Sequence, residues 1–173
     1  MSMTIEEFLD TLPDPNDWDH HFLDQLPFTA RKSKDPSTKV GAIITGSDRG
    51  DKTRGFNGFP RGVEDDLVKV PERYVRPLKY KYTEHAERNA IYYAARKGIA
   101  LEGSTLYVGW CPCTDCTRGV IQSGIVRIVL DGDSRAYNDE DLKKRWEEDG
   151  EVSKTMLAEA GIELVVYKRK EKK

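Results

Sequence analysis

Short apolar runs alternate along the chain with longer segments in which apolar residues recur at helical spacing. A short apolar or β-branched run between turn-forming residues is typical of a strand, whereas spacings of three and four are typical of an amphipathic helix. Strands that alternate with helices favour an α/β sandwich, in which a mixed sheet is covered on both faces. The runs predict five strands, at residues 39–45, 52–56, 104–109, 125–130 and 162–167.

The sequence also predicts four helices, each with a recognisable start or end. Asp17 is the predicted N-cap of a helix over residues 18–32, although Pro27 removes one backbone donor from it. Thr83 is the predicted N-cap of a second helix, which Gly98 ends. The other two helices are expected at residues 113–123 and at 138–160, the latter with a break near Gly150.

Residues 57–82 form a connection that is longer than an ordinary loop. The segment is rich in charge and contains turn-forming residues at Gly58, Pro60, Gly62 and Pro71. Connections of this length in compact domains are usually functional or disordered. The segment is therefore a candidate part of a functional site.

The composition is that of one globular domain. The 173 residues are 38% hydrophobic and 34% charged, with a mean hydropathy of −0.67. We expect a single domain over residues 1–173, with an acidic leader at 1–17 and a basic tail at 168–173. The apolar runs are far shorter than the ~20 residues that cross a bilayer, and residues 1–10 do not resemble a secretory signal. These features favour a cytoplasmic protein with no membrane partner.

The charge balance argues against nucleic acid as a partner. The formal net charge is −2 and the sequence pI is about 6.0. The chain therefore has no overall positive field to attract a phosphate backbone. A basic tail this short is more simply interpreted as a solvated chain end.

All three cysteines lie within the six residues from Cys111 to Cys116. In a chain without a secretory signal, such crowding indicates metal binding before disulfide formation. Cys113 and Cys116 are three residues apart, so they project from one side of a helix if they are helical. With His85 they provide one imidazole and two thiolates, a set that suits zinc and leaves a fourth position for water. An open position is typical of a catalytic zinc site.

Glu87 is the predicted proton carrier of this site. On a helix it would lie roughly 200° around the axis from His85, so it would not approach the metal together with the imidazole. Zinc can lower the pKa of bound water toward ~7, and a nearby carboxylate can move that proton to a ring nitrogen and a departing amine. Two alternatives stay open: Glu87 as a solvated helix carboxylate, and a closed structural zinc with Cys111 as fourth ligand. If Cys111 does not bind the zinc, we expect it to be a buried residue at the end of a strand.

Several stretches resemble the deoxycytidylate (dCMP) deaminase family, within the cytidine deaminase-like superfamily. A His-x-Glu motif with a later Pro-Cys-x-x-Cys motif is the signature of zinc deaminases. The resemblance implies a three-layer α/β/α sandwich around a central mixed five-stranded sheet, and zinc-dependent conversion of dCMP to dUMP and ammonia. The matching stretches are residues 33–36, 40–42, 55–62, 85–91 and 112–116.

The resemblance assigns catalytic roles to four residues. In that family the positions of His85, Cys113 and Cys116 hold one catalytic zinc ion per chain, and the position of Glu87 moves protons. A hydrolase of pyrimidine nucleotide metabolism is therefore the implied activity.

The resemblance also implies binding residues and partners. The counterpart of Asn57 touches the substrate sugar, and Ala86 and Pro112 are assigned to the substrate site with it. Gly58 and Arg96 are assigned to a regulatory nucleotide site for dCTP or dTTP, with Mg²⁺ accompanying the triphosphate. The family further implies a homo-oligomer, with six copies as the expected number.

The spacing of the motifs helps to separate branches of the superfamily. Twenty-seven residues lie between Asn57 and His85, whereas tRNA adenosine, riboflavin-pathway and free-nucleoside deaminases resemble one another in a much shorter link. The long segment favours a mononucleotide substrate. Arg88, in place of a frequent aliphatic residue, and the long ending at 131–161 depart from the family pattern, and they leave the base modification and the regulation open.

Alternative functions and roles follow from these departures. The chain could deaminate another base, in 5-substituted dCMP, dCTP, tRNA adenosine or guanine, or be a catalytically silent, zinc-stabilised nucleotide-binding module. Asn57 is alternatively a left-handed turn residue, and Trp110 and Phe59 either stack on a pyrimidine or pack in the core. Six residues are unranked candidates for holding a 5′-phosphate: Arg31, Lys34, Arg61, Lys79, Arg135 and Tyr137.

Overall fold

The structure, a computed structural model, describes residues 4, 5 and 14–169. Most of the predicted acidic leader at 1–17, and most of the predicted basic tail at 168–173, lie outside the described residues. Within the described part of the chain, none of the helices combines the length and apolar content that crossing a lipid bilayer requires.

Five strands form one mixed sheet at the centre of the molecule. The strands are β1 (Gly41–Thr45), β2 (Asp51–Phe56), β3 (Thr105–Val108), β4 (Arg127–Asp131) and β5 (Glu163–Tyr167). Their order in the sheet is β2-β1-β3-β4-β5; β1 is antiparallel to both of its neighbours, and β3, β4 and β5 are parallel. The predicted mixed five-stranded sheet is therefore confirmed.

Helices cover both faces of the sheet, which confirms the three-layer architecture. The helices are α1 (Trp18–Ala30), α2 (Lys79–Tyr82), α3 (Ala86–Lys97), α4 (Thr114–Gln122), α5 (Arg135–Asn138) and α6 (Glu140–Glu159), with a 3₁₀ turn at Pro71–Tyr74. The helix α1 packs on one face of the sheet, and α3, α4 and α6 pack on the other.

Alternate residues of the central strands face the two helical layers. In β1, Ile43 packs with Phe22 and Leu26 of α1, whereas Ile44 belongs to the larger cluster that includes Ala90 of α3. All five residues of β1 are buried, as expected for a strand whose two faces are both covered. The sheet therefore has two cores, and the larger one lies under α3, α4 and α6.

The predicted N-cap of the second long helix is wrong by two residues. The helix α3 begins at Ala86, and its N-cap is His85, which has an extended backbone. Glu84, the residue before His85, forms two backbone hydrogen bonds with Gly58, which lies just after β2. These bonds keep Glu84 extended and outside the helix. A Cβ atom on Gly55 would lie 2.1 Å from the carbonyl oxygen of Ala86, so the glycine allows α3 to pack directly against β2. This packing places His85 at the end of the sheet.

The predicted break near Gly150 is also wrong. The helix α6 continues without interruption from Glu140 to Glu159. A single glycine costs a helix about 1 kcal/mol relative to alanine, a cost that packing of the helix can offset. In this case Ser153 and Leu157 are buried against the rest of the domain, so the packed helix persists through the glycine.

Candidate active site

The structure brings together the three predicted metal ligands. The Nδ1 atom of His85 lies 3.3 Å from Sγ of Cys113 and 3.5 Å from Sγ of Cys116. The ligand atoms of all three residues lie within 4.8 Å of one another. Zinc bonds of about 2.1 Å to nitrogen and about 2.3 Å to sulfur place tetrahedral N and S ligands roughly 3.6 Å apart. The donor types and their spacing therefore fit a zinc ion.

Cys111 does not join this group. Among the described residues, the group of metal-ligating side chains consists of His85, Cys113 and Cys116. Burial raises the pKa of the Cys111 thiol to about 11, and Cys111 lines the same cavity as His85 and Cys113 without joining their ligand atoms. The described residues thus supply three ligands and support an open rather than a closed site.

Two helix N-termini position the ligands. His85 is the N-cap of α3, Cys113 is the N-cap of α4, and Cys116 lies in the first turn of α4. The positive end of a helix dipole favours thiolates and other anions. Hydrogen bonds from Cys116 and His85 lower the pKa of the Cys113 thiol to about 4. The protein environment around Cys113 therefore favours its thiolate form.

Glu87 faces the same cavity as His85, which corrects the predicted separation of the two side chains. The angle of 200° assumed that both residues are helical, but His85 precedes the helix with an extended backbone. Glu87 is 6% exposed, so the interpretation of a solvated carboxylate is wrong. Burial raises the pKa of Glu87, although the nearby His85 opposes the shift. The structure thus places a buried carboxylate beside the metal group.

One cavity is lined by His85 and Cys113 of the metal group and by some of the predicted substrate residues. Asn57 and Pro112 line it, together with the segment before β1 and the end of β3. The side chain of Ala86 lies in the core and is fully buried. Gly58 and Arg96 are not among the residues that line the cavity. The predicted substrate residues are therefore divided between the cavity and the core beside it.

The two aromatic residues considered for stacking on the pyrimidine, Trp110 and Phe59, lie in different places. Trp110 lines the cavity, and its ring centroid lies 4.7 Å from that of Tyr137. Phe59 instead stacks on Tyr74, with 4.6 Å between ring centroids, and is not among the lining residues. Trp146 of α6 lines the cavity as well.

Asn57 is buried, and its amide is held by backbone groups on the segment before β1. Its Oδ1 atom accepts a hydrogen bond from the backbone N–H of Val40 at 2.8 Å, and its Nδ2 donates to the carbonyl of Thr38 at 2.9 Å. Among the described non-glycine residues, a positive φ occurs at Arg49 alone. The interpretation of Asn57 as a left-handed turn residue is therefore wrong.

The sequence did not indicate two arginines that line the cavity. Arg76 comes from the long segment before His85, Arg145 comes from α6, and neither forms an ion pair with a described residue. Of the six candidates for a phosphate ligand, Lys79 alone lines this cavity, and its Nζ lies 2.6 Å from Oδ2 of Asp35. No motif spacing links Arg76 and Arg145, because the fold brings them together from distant parts of the chain.

The helix α6 also supports the cysteine helix. The Asp149 carboxylate accepts hydrogen bonds from the backbone N–H and from Oγ1 of Thr114, both at 2.9 Å. Thr114 is the first residue of α4, whose N-cap Cys113 makes no side-chain capping bond. Asp149 therefore caps α4 from another helix, directly beside a ligand of the metal group.

Arg88 links the two ligand-bearing helices. Its Nε lies 2.5 Å from Oε1 of Glu84, and its Nη1 lies 3.5 Å from Oδ2 of Asp115 in α4. It is not among the residues that line the cavity. Arg88 therefore contributes to the contact between α3 and α4 and not to the cavity surface.

Comparison with known proteins agrees with this geometry. The family model of the cytidine and deoxycytidylate deaminase zinc-binding region matches residues 16–131. An uncharacterized deaminase in the luxG 3′ region of Aliivibrio fischeri is 38% identical over 147 residues, which are 85% of this chain and 91% of that protein. The human deoxycytidylate deaminase is 34% identical over 127 residues, which are 72% of this chain and 69% of that protein.

A solved structure shares the fold. The dCMP deaminase of the cyanophage S-TIM5, crystallised in complex with dCMP and dUMP, matches with a TM-score of 0.66 at 20% sequence identity. The match covers 90% of this chain and 100% of the phage chain. Together with the family model and the relatives above, the site geometry leads to one conclusion: the chain belongs to the zinc-binding cytidine and deoxycytidylate deaminase family.

Proposed function

We propose that this chain catalyses the hydrolytic deamination of dCMP to dUMP and ammonia. The observation that carries the proposal is one cavity that contains the His85–Cys113 part of the metal group, the buried Glu87 carboxylate and two guanidinium groups that form no ion pair with a described residue. The human relative and the phage protein described above are both named for the same reaction.

Each residue of the site has a defined task in this reaction. A zinc ion held by His85, Cys113 and Cys116 would supply a Lewis acid that makes water nucleophilic near neutral pH. The water oxygen bonds to C4 of cytosine, the bond from C4 to N4 breaks, and ammonia leaves. Glu87 takes the protons of that water and delivers one to N3 and one to N4, so that atoms and charge balance. Burial of Glu87 keeps bulk water from competing for these protons.

The two arginines of the cavity are proposed to bind the 5′-phosphate. A guanidinium group donates paired hydrogen bonds that match phosphate oxygens. Arg76 and Arg145 have no acidic partner among the described residues, whereas the charge of Lys79 is already matched by Asp35. The cavity therefore presents two positively charged side chains to a phosphate group.

The proposed function is tested by measuring ammonia release from the zinc-loaded protein. The substrates are dCMP and 5-substituted dCMP, with deoxycytidine, dCTP, cytidine, guanine and tRNA as alternatives. We expect the highest kcat/KM with dCMP, and Glu87→Gln should retain one zinc per chain but lose on the order of 10²- to 10⁴-fold in kcat. No ammonia from dCMP or its 5-substituted relatives refutes the proposal, and tight dCTP binding without any turnover would indicate a silent nucleotide-binding module.

The phosphate assignment makes a separate prediction. Arg145→Ala and Arg76→Ala should each raise KM for dCMP by about tenfold or more, because each removes a charged hydrogen-bond donor. The same variants should leave the kinetics with deoxycytidine, which lacks the phosphate, nearly unchanged. Arg135→Ala is the matched control, since Arg135 is exposed and pairs with Asp139 outside the cavity. Equal effects on both substrates would contradict the assignment.

We also propose that dCTP and dTTP regulate the enzyme at the turn that begins at Gly58 and at the end of α3. The Arg61 guanidinium lies 5.8 Å from the ring centroid of Tyr93, and Nζ of Lys97 lies 6.0 Å from the same centroid. Arg96 is exposed in the same helical turn, so these cations support binding of a triphosphate with Mg²⁺. The test is whether dCTP changes the dCMP concentration at half-maximal rate, and whether Arg96→Ala abolishes that change.

A homo-oligomer of six copies is the final part of the proposal. Large apolar side chains are exposed on the long segment and on α3, namely Val68 at 89%, Val75 at 62% and Tyr92 at 49%. Exposed apolar surface of this kind is typical of interfaces. Light scattering should give six times the chain mass of 19.7 kDa, and a monomer mass would contradict the proposal.

A further inference from the structure

A buried ion pair forms part of one wall of the cavity. Nζ of Lys79 is 2.6 Å from Oδ2 of Asp35, and the two side chains are 6% and 2% exposed. Nζ also donates a hydrogen bond to Oγ of Ser37 at 2.7 Å. Burial raises the pKa of Asp35, but hydrogen bonds from Lys79 and Ser37 outweigh it and leave the pKa below its usual value. The Asp35 carboxylate is therefore held in its charged form, with its partners in fixed places.

The pair joins two separate segments of the chain. Asp35 precedes β1, and Lys79 is the first residue of α2, in the long segment that follows Asn57. Hydrogen bonds between the backbones of Gly58 and Glu84, at 3.0 and 2.8 Å, close that segment at its base. Removing one member of a buried pair leaves an uncompensated charge and is strongly unfavourable. The pair thus holds the cavity-lining part of the long segment, at Lys79, against the segment before β1, at Asp35.

The same carboxylate faces the amide of Asn57. Oδ2 of Asp35 lies 3.4 Å from Nδ2 of Asn57, which also donates to the carbonyl of Thr38 at 2.9 Å. Oδ1 of Asn57 accepts one hydrogen bond, from the N–H of Val40 at 2.8 Å. Both amide protons therefore point at protein oxygens, whereas the amide oxygen retains a second acceptor position. Because Asn57 lines the cavity, it offers a ligand an acceptor and not a donor.

We propose that Asp35 and Lys79 are positioning residues, which orient Asn57 so that its Oδ1 accepts a hydrogen bond from the sugar 3′-hydroxyl. This inference rests on the proposed function, because it requires a nucleotide in the cavity. The 3′-hydroxyl is the hydroxyl donor of a deoxyribose 5′-phosphate, so its chemistry matches the acceptor of Asn57. Lys79 acts through Asp35 and not on the phosphate, since its charge is already matched.

The test compares two substrates in Asp35→Asn and Lys79→Met. With dCMP, each variant should lose on the order of 10²-fold in kcat/KM, the cost of a displaced contact. With 2′,3′-dideoxycytidine 5′-monophosphate, which lacks the 3′-hydroxyl, the loss should be about tenfold smaller, because the contact at issue is already absent. Equal losses with both substrates would show a merely structural role and overturn the proposal. A Lys79→Met loss that instead disappears with deoxycytidine would show that Lys79 binds phosphate.

Two further variants separate positioning from stability. Lys34→Met is the matched control: it removes an exposed pair with Asp65, at 2.7 Å, from the residue beside Asp35, and it should change kcat/KM by less than about twofold. The double variant Asp35→Asn with Lys79→Met removes both charges and should recover thermal stability. It should not recover kcat/KM for dCMP. If it recovers both, the pair acts through stability alone and the proposal fails.

A measurement without substrate keeps this inference separate from the proposed function. If the wild-type protein releases no ammonia from dCMP, the proposed function fails, whatever the network does. The orientation of Asn57 is then read from amide hydrogen exchange at Val40, whose N–H donates to Oδ1 of Asn57. Exchange should be at least about tenfold faster in Asp35→Asn than in Lys34→Met, because the protecting acceptor is lost. Equal exchange in the two variants would overturn the positioning role.

Discussion

The N-termini of the four longest helices in the described part of the chain fall into two groups, and the difference shows which of them serve the fold alone. The helices α1 and α6 begin after Asp17 and Asp139, whose carboxylates accept hydrogen bonds from the backbones of His20 and Leu142. The helices α3 and α4 begin after His85 and Cys113, which make no side-chain capping bond. At these two positions, the side chain that would cap the helix belongs to the metal group.

The absence of a side-chain cap destabilises α3 and α4, and other residues offset part of this loss. Aspartate at an N-cap stabilises a helix by about 1 kcal/mol relative to alanine. At α4, Asp149 supplies the missing acceptor from α6. At α3, the carboxylate of Glu87 lies in the first turn, where the helix dipole favours negative charge. The N-termini of the ligand-bearing helices are therefore stabilised by residues elsewhere in the fold, whereas α1 and α6 are stabilised by their own N-cap side chains.

Among the changes that test this comparison, removal of a metal ligand should have the largest effect. Cys116→Ser should lose stoichiometric zinc and, with it, essentially all turnover. The site has three protein ligands among the described residues, so no other described side chain can replace the lost thiolate. Metal analysis and ammonia release measure the two effects, and a chelator followed by added zinc should reproduce the loss and the recovery in the wild-type protein. Cys111→Ser is the matched control and should retain its zinc. Loss of zinc in that control would show that Cys111 is a fourth ligand.

Removing the substitute cap should have an intermediate effect. Asp149→Ala should weaken zinc binding by about 10- to 100-fold, because residues that support a metal ligand fix its position. The variant should also lose about 1 kcal/mol of stability. Competition with a chelator measures the first effect and denaturant unfolding the second. Asp149→Asn retains an acceptor for Thr114 and should recover part of both, whereas an unchanged zinc affinity in Asp149→Ala would contradict the supporting role.

Removing an ordinary cap should affect stability alone. Asp17→Ala should lower the free energy of unfolding by about 1 to 2 kcal/mol, because it removes the cap of α1 and the acceptor of the Tyr167 hydroxyl. Zinc content and kcat/KM should stay at wild-type values, since α1 lies on the opposite face of the sheet from α3 and α4. A change in zinc content would show that the two groups of helices are not independent.

Local patterns predicted most of the fold because they report local chemistry. The apolar run of β1 is buried on both faces, and Gly98 ends α3 with a φ of 66°, as a left-handed cap requires. Local signals failed where contacts between distant segments decided the outcome. Thr83 resembles an N-cap, yet the bridge between Gly58 and Glu84 delays the helix to Ala86.

The sequence by itself determined the order of strands and helices, the metal-ligand set and the carboxylate beside it. These follow from periodicity and from the spacing of His85, Glu87, Cys113 and Cys116, which are properties of short stretches of chain. Only the tertiary structure decided which distant side chains complete the site. The arginines of the cavity, the cap of α4 and the Asp35–Lys79 pair join segments far apart in the chain. No periodicity relates such segments, because their contact is set by how the helices pack on the sheet.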